Sequence, residues 1–131
     1  MEPFGPFRIR GRPGVPASAG LRPWQELVRE QVVVAWGSRS PVSAPVRVGV
    51  RFFLEPQRLA DTDIDNLVKG FLDGLAGTVF ARNPRSNSEW DADDVWVYRL
   101  TAEKLPVSVP GELGAEFEIA AWPCRQVVGD V

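Results

Sequence analysis

The chain has 131 residues, 44% of them hydrophobic, and a formal charge of −2 without a single histidine. That length suits one domain over residues 1–131 and is too short for two independent cores. The lack of histidine excludes Ser-His-Asp and Cys-His catalysis and the His-containing zinc sites, so a metal would be held mainly by oxygen, which favours magnesium, manganese or calcium.

The only cysteine, Cys124, has no intrachain partner, so there is no disulfide framework. No run approaches the roughly 18 apolar residues of a membrane span, and Met1–Pro6 lacks the basic and apolar blocks of a signal peptide. A cytoplasmic protein without membrane attachment is expected. Charge is unevenly spread. Residues 1–60 carry nine arginines against four acids, whereas residues 61–131 carry six basic and thirteen acidic side chains. The first half offers a basic surface and the second an acidic cluster.

In chain order, the Pro- and Gly-rich opening Phe4–Gly20 reads as loop around one short alternating piece, Phe7–Arg10, that suits a strand. Pro23 then stands where a first helical turn tolerates proline, and Trp24, Leu27, Val28, Val32, Ala35 and Trp36 recur at helical spacing until Gly37. Val46–Leu54 alternates strictly, with Val46, Val48, Val50, Phe52 and Leu54 on one side, which predicts a half-buried strand. A second helix is predicted over Asp65–Ala76, its apolar face formed by Leu67, Val68, Phe71, Leu72 and Leu75, with Gly77 at its end. Ala81–Asp91 has no apolar period and reads as an exposed loop. Two further strands fit Val95–Glu103 and Glu116–Trp122, joined through Pro106 and Pro110-Gly111. The order β-α-β-α-β-β implies a single two-layer α+β domain, with two helices packed on one mixed sheet.

The informative stretch is Asp61-Thr62-Asp63-Ile64-Asp65-Asn66-Leu67-Val68-Lys69. If the chain is extended before the helix, Asp63 and Asp65 point the same way. From Asp65, steps of four lead to Lys69 and Asp73, a stripe beside the apolar face. A helix cap needs one acid, and Asp65, Lys69 and Asp73 alone make a pair of ordinary surface salt bridges. Three alternating acids exceed what capping needs, and like charges repel unless a cation neutralises them. An EF-hand frame beginning at Asp61 fails, with Asn66 in place of its glycine and Leu72 in place of its last glutamate. A second acid group, Asp91-Ala92-Asp93-Asp94, precedes the third strand. If that strand pairs beside the end of Val46–Leu54, Asp94 approaches Asp63 and Asp65.

Asp63-Ile-Asp65-Asn66-x-x-Lys69, then Asp73-Gly-Leu75, Asp93-Asp94-x-x-Val97 and Lys104-x-Pro106 together resemble the RusA-type Holliday junction resolvases, over about a third of the chain. Trp96 stands where that family commonly has glutamine. The resemblance implies that Asp63, Asp65 and Asp94 bind Mg2+, with Mn2+ as a substitute, and that Lys69 takes part in catalysis. Asp73, Asp93 and Lys104 match the pattern as supporting residues. The implied activity is metal-dependent endonucleolytic cleavage of branched DNA, a four-way junction cut by paired symmetric nicks in recombination and repair. Symmetric nicking implies a homodimer. Arg47 and Arg51 are candidates for contacts to the DNA backbone. Two other readings of the residues stand beside this one: a branched-DNA-binding protein without turnover, and a divalent-metal-binding interaction module unrelated to DNA.

Overall fold

The computed structural model describes residues 1–81 and 94–123. Its elements follow the predicted order: β1 (Phe4–Arg10), α1 (Leu21–Trp36), β2 (Val46–Leu54), α2 (Ile64–Leu75), β3 (Val97–Pro106) and β4 (Gly114–Ala121), with short 3-10 turns at Pro56–Arg58, Asp94–Trp96 and Pro110–Glu112. The fold is mixed α+β, built on one four-stranded sheet in the order β1-β4-β2-β3. β2 pairs in parallel with β3 and antiparallel with β4, and β1 closes the other edge against β4. Parallel neighbours need a long crossover between them, and the segment containing α2 supplies it.

Alternation along β2 decides which side of the sheet is covered. Val46, Val48, Val50, Phe52 and Leu54 are all buried, whereas Arg47 and Arg51 are exposed. Phe117 and Ile119 of β4 join the buried side. The apolar face of α2 lies on them, with the Phe71 ring 6.0 Å from Phe52 and 5.1 Å from Phe117. Burying a side chain of that size contributes about 1.5–3 kcal/mol, so this aromatic triplet fixes α2 to the sheet. α1 buries Trp24, Val28, Val32 and Trp36, successive positions four apart. The helices approach closely at Gly70 and Gly74. A methyl group added at Gly70 would lie 3.0 Å from Leu21 Cδ1, and one at Gly74 would lie 3.2 Å from Val28 Cγ1.

The element boundaries differ from the predicted ones for local reasons. β1 begins at Phe4 instead of Phe7, because an edge strand accommodates Pro6 and a register break between Phe4 and Phe7. α2 begins at Ile64, one residue early, and Ala35 of α1 is exposed. β3 begins at Val97 and runs on to Pro106, since Asp94–Trp96 coil into a 3-10 turn that the Trp96 indole N–H ties to the Ala81 carbonyl at 3.0 Å. β4 begins at Gly114, two residues before the predicted start. Among the described residues no helix is long and apolar enough to cross a membrane.

Candidate metal centre

The aspartate segment is held from two sides by groups outside it. After β2 the chain turns through Pro56–Arg58. The Arg58 guanidinium donates to the Pro13 carbonyl at 2.8 Å, pinning the turn to the N-terminal loop. Burial, with Arg12 nearby, lowers the Arg58 pKa from its ordinary value, though a guanidinium stays charged in a protein. Arg12 in turn hydrogen-bonds Glu55 at 2.9 Å and holds that carboxyl below its usual range. The Arg12–Glu55 contribution is therefore present above the ordinary carboxylate pKa and is lost as pH falls through the lowered one.

From the other side, the Lys104 ammonium donates to the carbonyls of Leu59 at 2.5 Å and Thr62 at 2.9 Å. Lys104 stands opposite Phe52 on β3, on the side of the sheet that the helices cover. It clamps the carbonyls one and four residues before Asp63, so this lysine positions the aspartate loop. Replacing Lys104 with Met removes two hydrogen bonds to a charged donor. Stability in urea unfolding is expected to fall by about 2 kcal/mol, with more metal needed to saturate any metal-dependent activity. An unchanged unfolding midpoint would contradict the clamp.

Asp63 occupies the N-cap position of α2 in an extended conformation, yet its carboxylate makes no capping hydrogen bond. Its backbone carbonyl accepts from Leu67 N–H at 3.2 Å. Asp65 lies inside the first turn, and among the described residues its carboxylate accepts only the neighbouring Asn66 N–H, at 3.0 Å. Both side chains are exposed, and neither has an ion-pair partner among the described residues. The extended geometry that was to align them ends at Asp63, because Asp65 is already helical. Both carboxylates lie at the start of α2, whose positive end lowers the cost of carrying them, although positions two apart on a helix do not face each other. Lys69, one turn on, is exposed and forms no salt bridge with Asp65 among the described residues. Asp73 is half-buried further along α2 and has contacts of its own.

The donor set suits a hard cation. Magnesium commonly takes one or two carboxylates and keeps several waters, and Asp63 and Asp65 offer two carboxylates that among the described residues neither a cap nor a salt bridge consumes. Among the described residues no three acidic groups converge.

Asp94 is placed differently from the expectation. β3 pairs with β2 in parallel, Val97 beside Val46 and Pro106 beside Leu54. The backbone of Asp94 therefore lies beyond the start of β2, and Asp63 follows its end. Lys104, which touches the Asp63 loop, stands seven residues beyond Val97, a separation of roughly 20 Å along a strand. Within one chain the strand pairing carries Asp94 away from Asp63 and Asp65, because a parallel crossover returns the chain to the starting edge. Asp93, Cys124 and all of the Ala81–Asp91 loop except Ala81 lie outside the described residues.

The two candidate DNA-contacting arginines differ from each other. Arg51 lies between two carboxylates, hydrogen-bonded to Glu116 and 3.8 Å from Glu103. Arg47 has no such partner among the described residues, and beside it in register stands Arg99, which sequence reasoning passed over. Only the parallel register of β2 and β3 makes the two neighbours. No family model matches the chain, and no curated protein matches it.

Proposed function

We propose that this protein is a magnesium-dependent, structure-selective endodeoxyribonuclease that resolves four-way DNA junctions as a homodimer, as the RusA-type motif pattern implies. The observation that carries the reading is the pair Asp63 and Asp65: two exposed carboxylates at a helix start, engaged among the described residues in neither a cap nor an ion pair, after a loop clamped by Lys104 and Arg58. The clamps fix the backbone that leads into the pair, and the carboxylates themselves remain available to an ion. The chemistry that magnesium supplies when bound is a more acidic water and neutralisation of charge on the phosphate and leaving oxygen. Lys69, unpaired among the described residues and one turn from Asp65, would orient the scissile phosphate by its charge.

The opposed positions of Asp63 and Asp94 bear on the dimer. If Asp94 contributes to the same ion, it does so from the partner subunit, since the parallel pairing separates it from Asp63 in its own chain. Two copies related by a twofold axis would then form two equivalent sites, one for each of the symmetric nicks.

Incubation with a labelled four-way junction and a matched linear duplex, in magnesium, manganese, calcium or EDTA, tests the proposal. Paired nicks in the junction alone, with magnesium or manganese and not with EDTA, are expected. Junction shifts on gels without nicking at any metal concentration would leave a binding protein. Metal-dependent stabilisation without affinity for any DNA would leave a metal-binding module.

A further inference from the structure

The sheet face opposite the helices divides into two ends of different character. At the end near Leu54 the charges satisfy one another: Arg51 with Glu103 and Glu116, and Arg8 stacked over the Phe53 ring at 3.6 Å while donating to the Glu112 carbonyl. At the end near Val46 they do not. Arg47 and Arg99 stand side by side on adjacent strands, both exposed and neither with a hydrogen bond or ion pair among the described residues. Strands are roughly 5 Å apart, and like charges directly opposite each other are destabilising. Such a pair is tolerated at a surface that an anion visits.

Beside the arginines lies a hollow of about 290 Å³, with Gly49, Thr101 and Glu118 in its lining, the Glu118 carboxylate forming no ion pair with either arginine among the described residues. Gly49 leaves it open: a Cβ there would come within 3.2 Å of the Thr101 hydroxyl. Two aromatic rings outside its lining pack on each other nearby in the strand register. A register slip between Val46 and Arg47 sets Tyr98 next to Arg99, and the Tyr98 ring packs 6.4 Å from Trp122. Trp122 lies two residues beyond Ala120, which lines the same hollow, so the period-two alternation of β4 points it to this face. Tyr98 is 62% exposed, too much for a ring serving only to fill the core.

We propose that Arg47, Arg99, Tyr98 and Trp122 form a binding platform for single-stranded nucleic acid, taking a backbone phosphate between the two arginines and an unpaired base against the aromatic rings. Phosphate attraction and base stacking are the two components of sequence-tolerant single-strand binding, and both are present here within one register step. The platform rests on the nuclease reading for its substrate, the unpaired nucleotides at a branch point, and names a surface which that reading does not require.

The test is fluorescence anisotropy with a labelled 12-nucleotide oligothymidine and an abasic strand of the same length, in EDTA. Without metal the measurement is independent of cleavage, so failure of the platform and failure of the nuclease reading are distinguishable. Oligothymidine should bind about tenfold more tightly than the abasic strand. Tyr98→Ala should erase that preference. Arg47→Ala and Arg99→Ala should weaken both strands and each lower the salt slope by about 1. Arg99→Lys, which keeps the charge, should retain the slope and guards against a folding artefact. No preference for the base-bearing strand, or arginine variants that bind unchanged, would overturn the platform. So would a Tyr98→Ala variant whose only change is in oligomeric state, which would make this face a contact between copies of the chain.

Discussion

Asp65→Asn is expected to lower magnesium-dependent cleavage by at least about 100-fold, the scale seen when one preorganised group at a reacting phosphate or carbonyl is lost, while leaving the protein folded. The expectation of intact folding comes from what Asp65 does not do. It is exposed and, among the described residues, accepts only the adjacent Asn66 N–H. Its contribution to α2 is limited to the favourable placement of negative charge in the first turn, about 0.3–1 kcal/mol. Asp63→Asn should behave alike, since asparagine is as good an N-cap as aspartate and Asp63 makes no side-chain capping bond to lose. Junction cleavage and urea unfolding measured on the same preparations check both halves, and calorimetric titration with manganese should show weakened binding. Full cleavage by either variant would remove the aspartates from the chemistry. Inactivity accompanied by a large loss of stability would mean that these aspartates were structural after all.

How legible each feature was in the sequence depends on whether its cause is local or long-range. β2 could be read almost to the residue, because period-two alternation from Val46 to Leu54 directly records one wet and one dry face. The faces of α1 and α2 were legible for the same reason. The limits of β1 were not. Pro6 argues against a strand unless the strand lies at a sheet edge, and edge position is a property of the whole sheet. Strand direction was hidden likewise. β3 and β4 are successive in sequence and yet do not pair, because β2 lies between them.

The candidate site divides along the same line. Lys69 follows Asp65 by one turn, so helix geometry places those two without further information, whereas the expected alignment of Asp63 with Asp65 was lost because α2 begins at Ile64. Lys104 matched a motif, but its purpose appears only when β3 brings it under the Leu59 and Thr62 carbonyls. Arg58 and Pro13 meet across 45 residues with no sequence signal at all. The expected approach of Asp94 to Asp63 failed on strand direction alone. Arg99 was overlooked because nothing but the parallel register relates it to Arg47.

That failed approach yields the sharpest test of the dimer. Asp65→Asn and Asp94→Asn are each expected to be inactive alone. If each metal site draws Asp63 and Asp65 from one subunit and Asp94 from the partner, a mixed dimer concentrates both defects in one site and leaves the other intact. Mixing the two inactive proteins in equal amounts, with subunit exchange, should then restore roughly a quarter of the original nicking, since about half the dimers are mixed and each has one of two sites working. The restored product should be singly nicked junctions instead of paired nicks, a signature that contamination by active protein does not produce. If all ligands come from one chain, every site carries a defect and mixing restores nothing. Restoration would also bear on the single-strand platform. Asp94, Tyr98 and Arg99 lie within six residues at the start of β3, so a metal held between one subunit's Asp94 and its partner's α2 would lie beside the arginines and rings of the first. Platform and metal site, at opposite ends of one chain, would then meet across the twofold axis, with unpaired nucleotides held next to the phosphate to be cut.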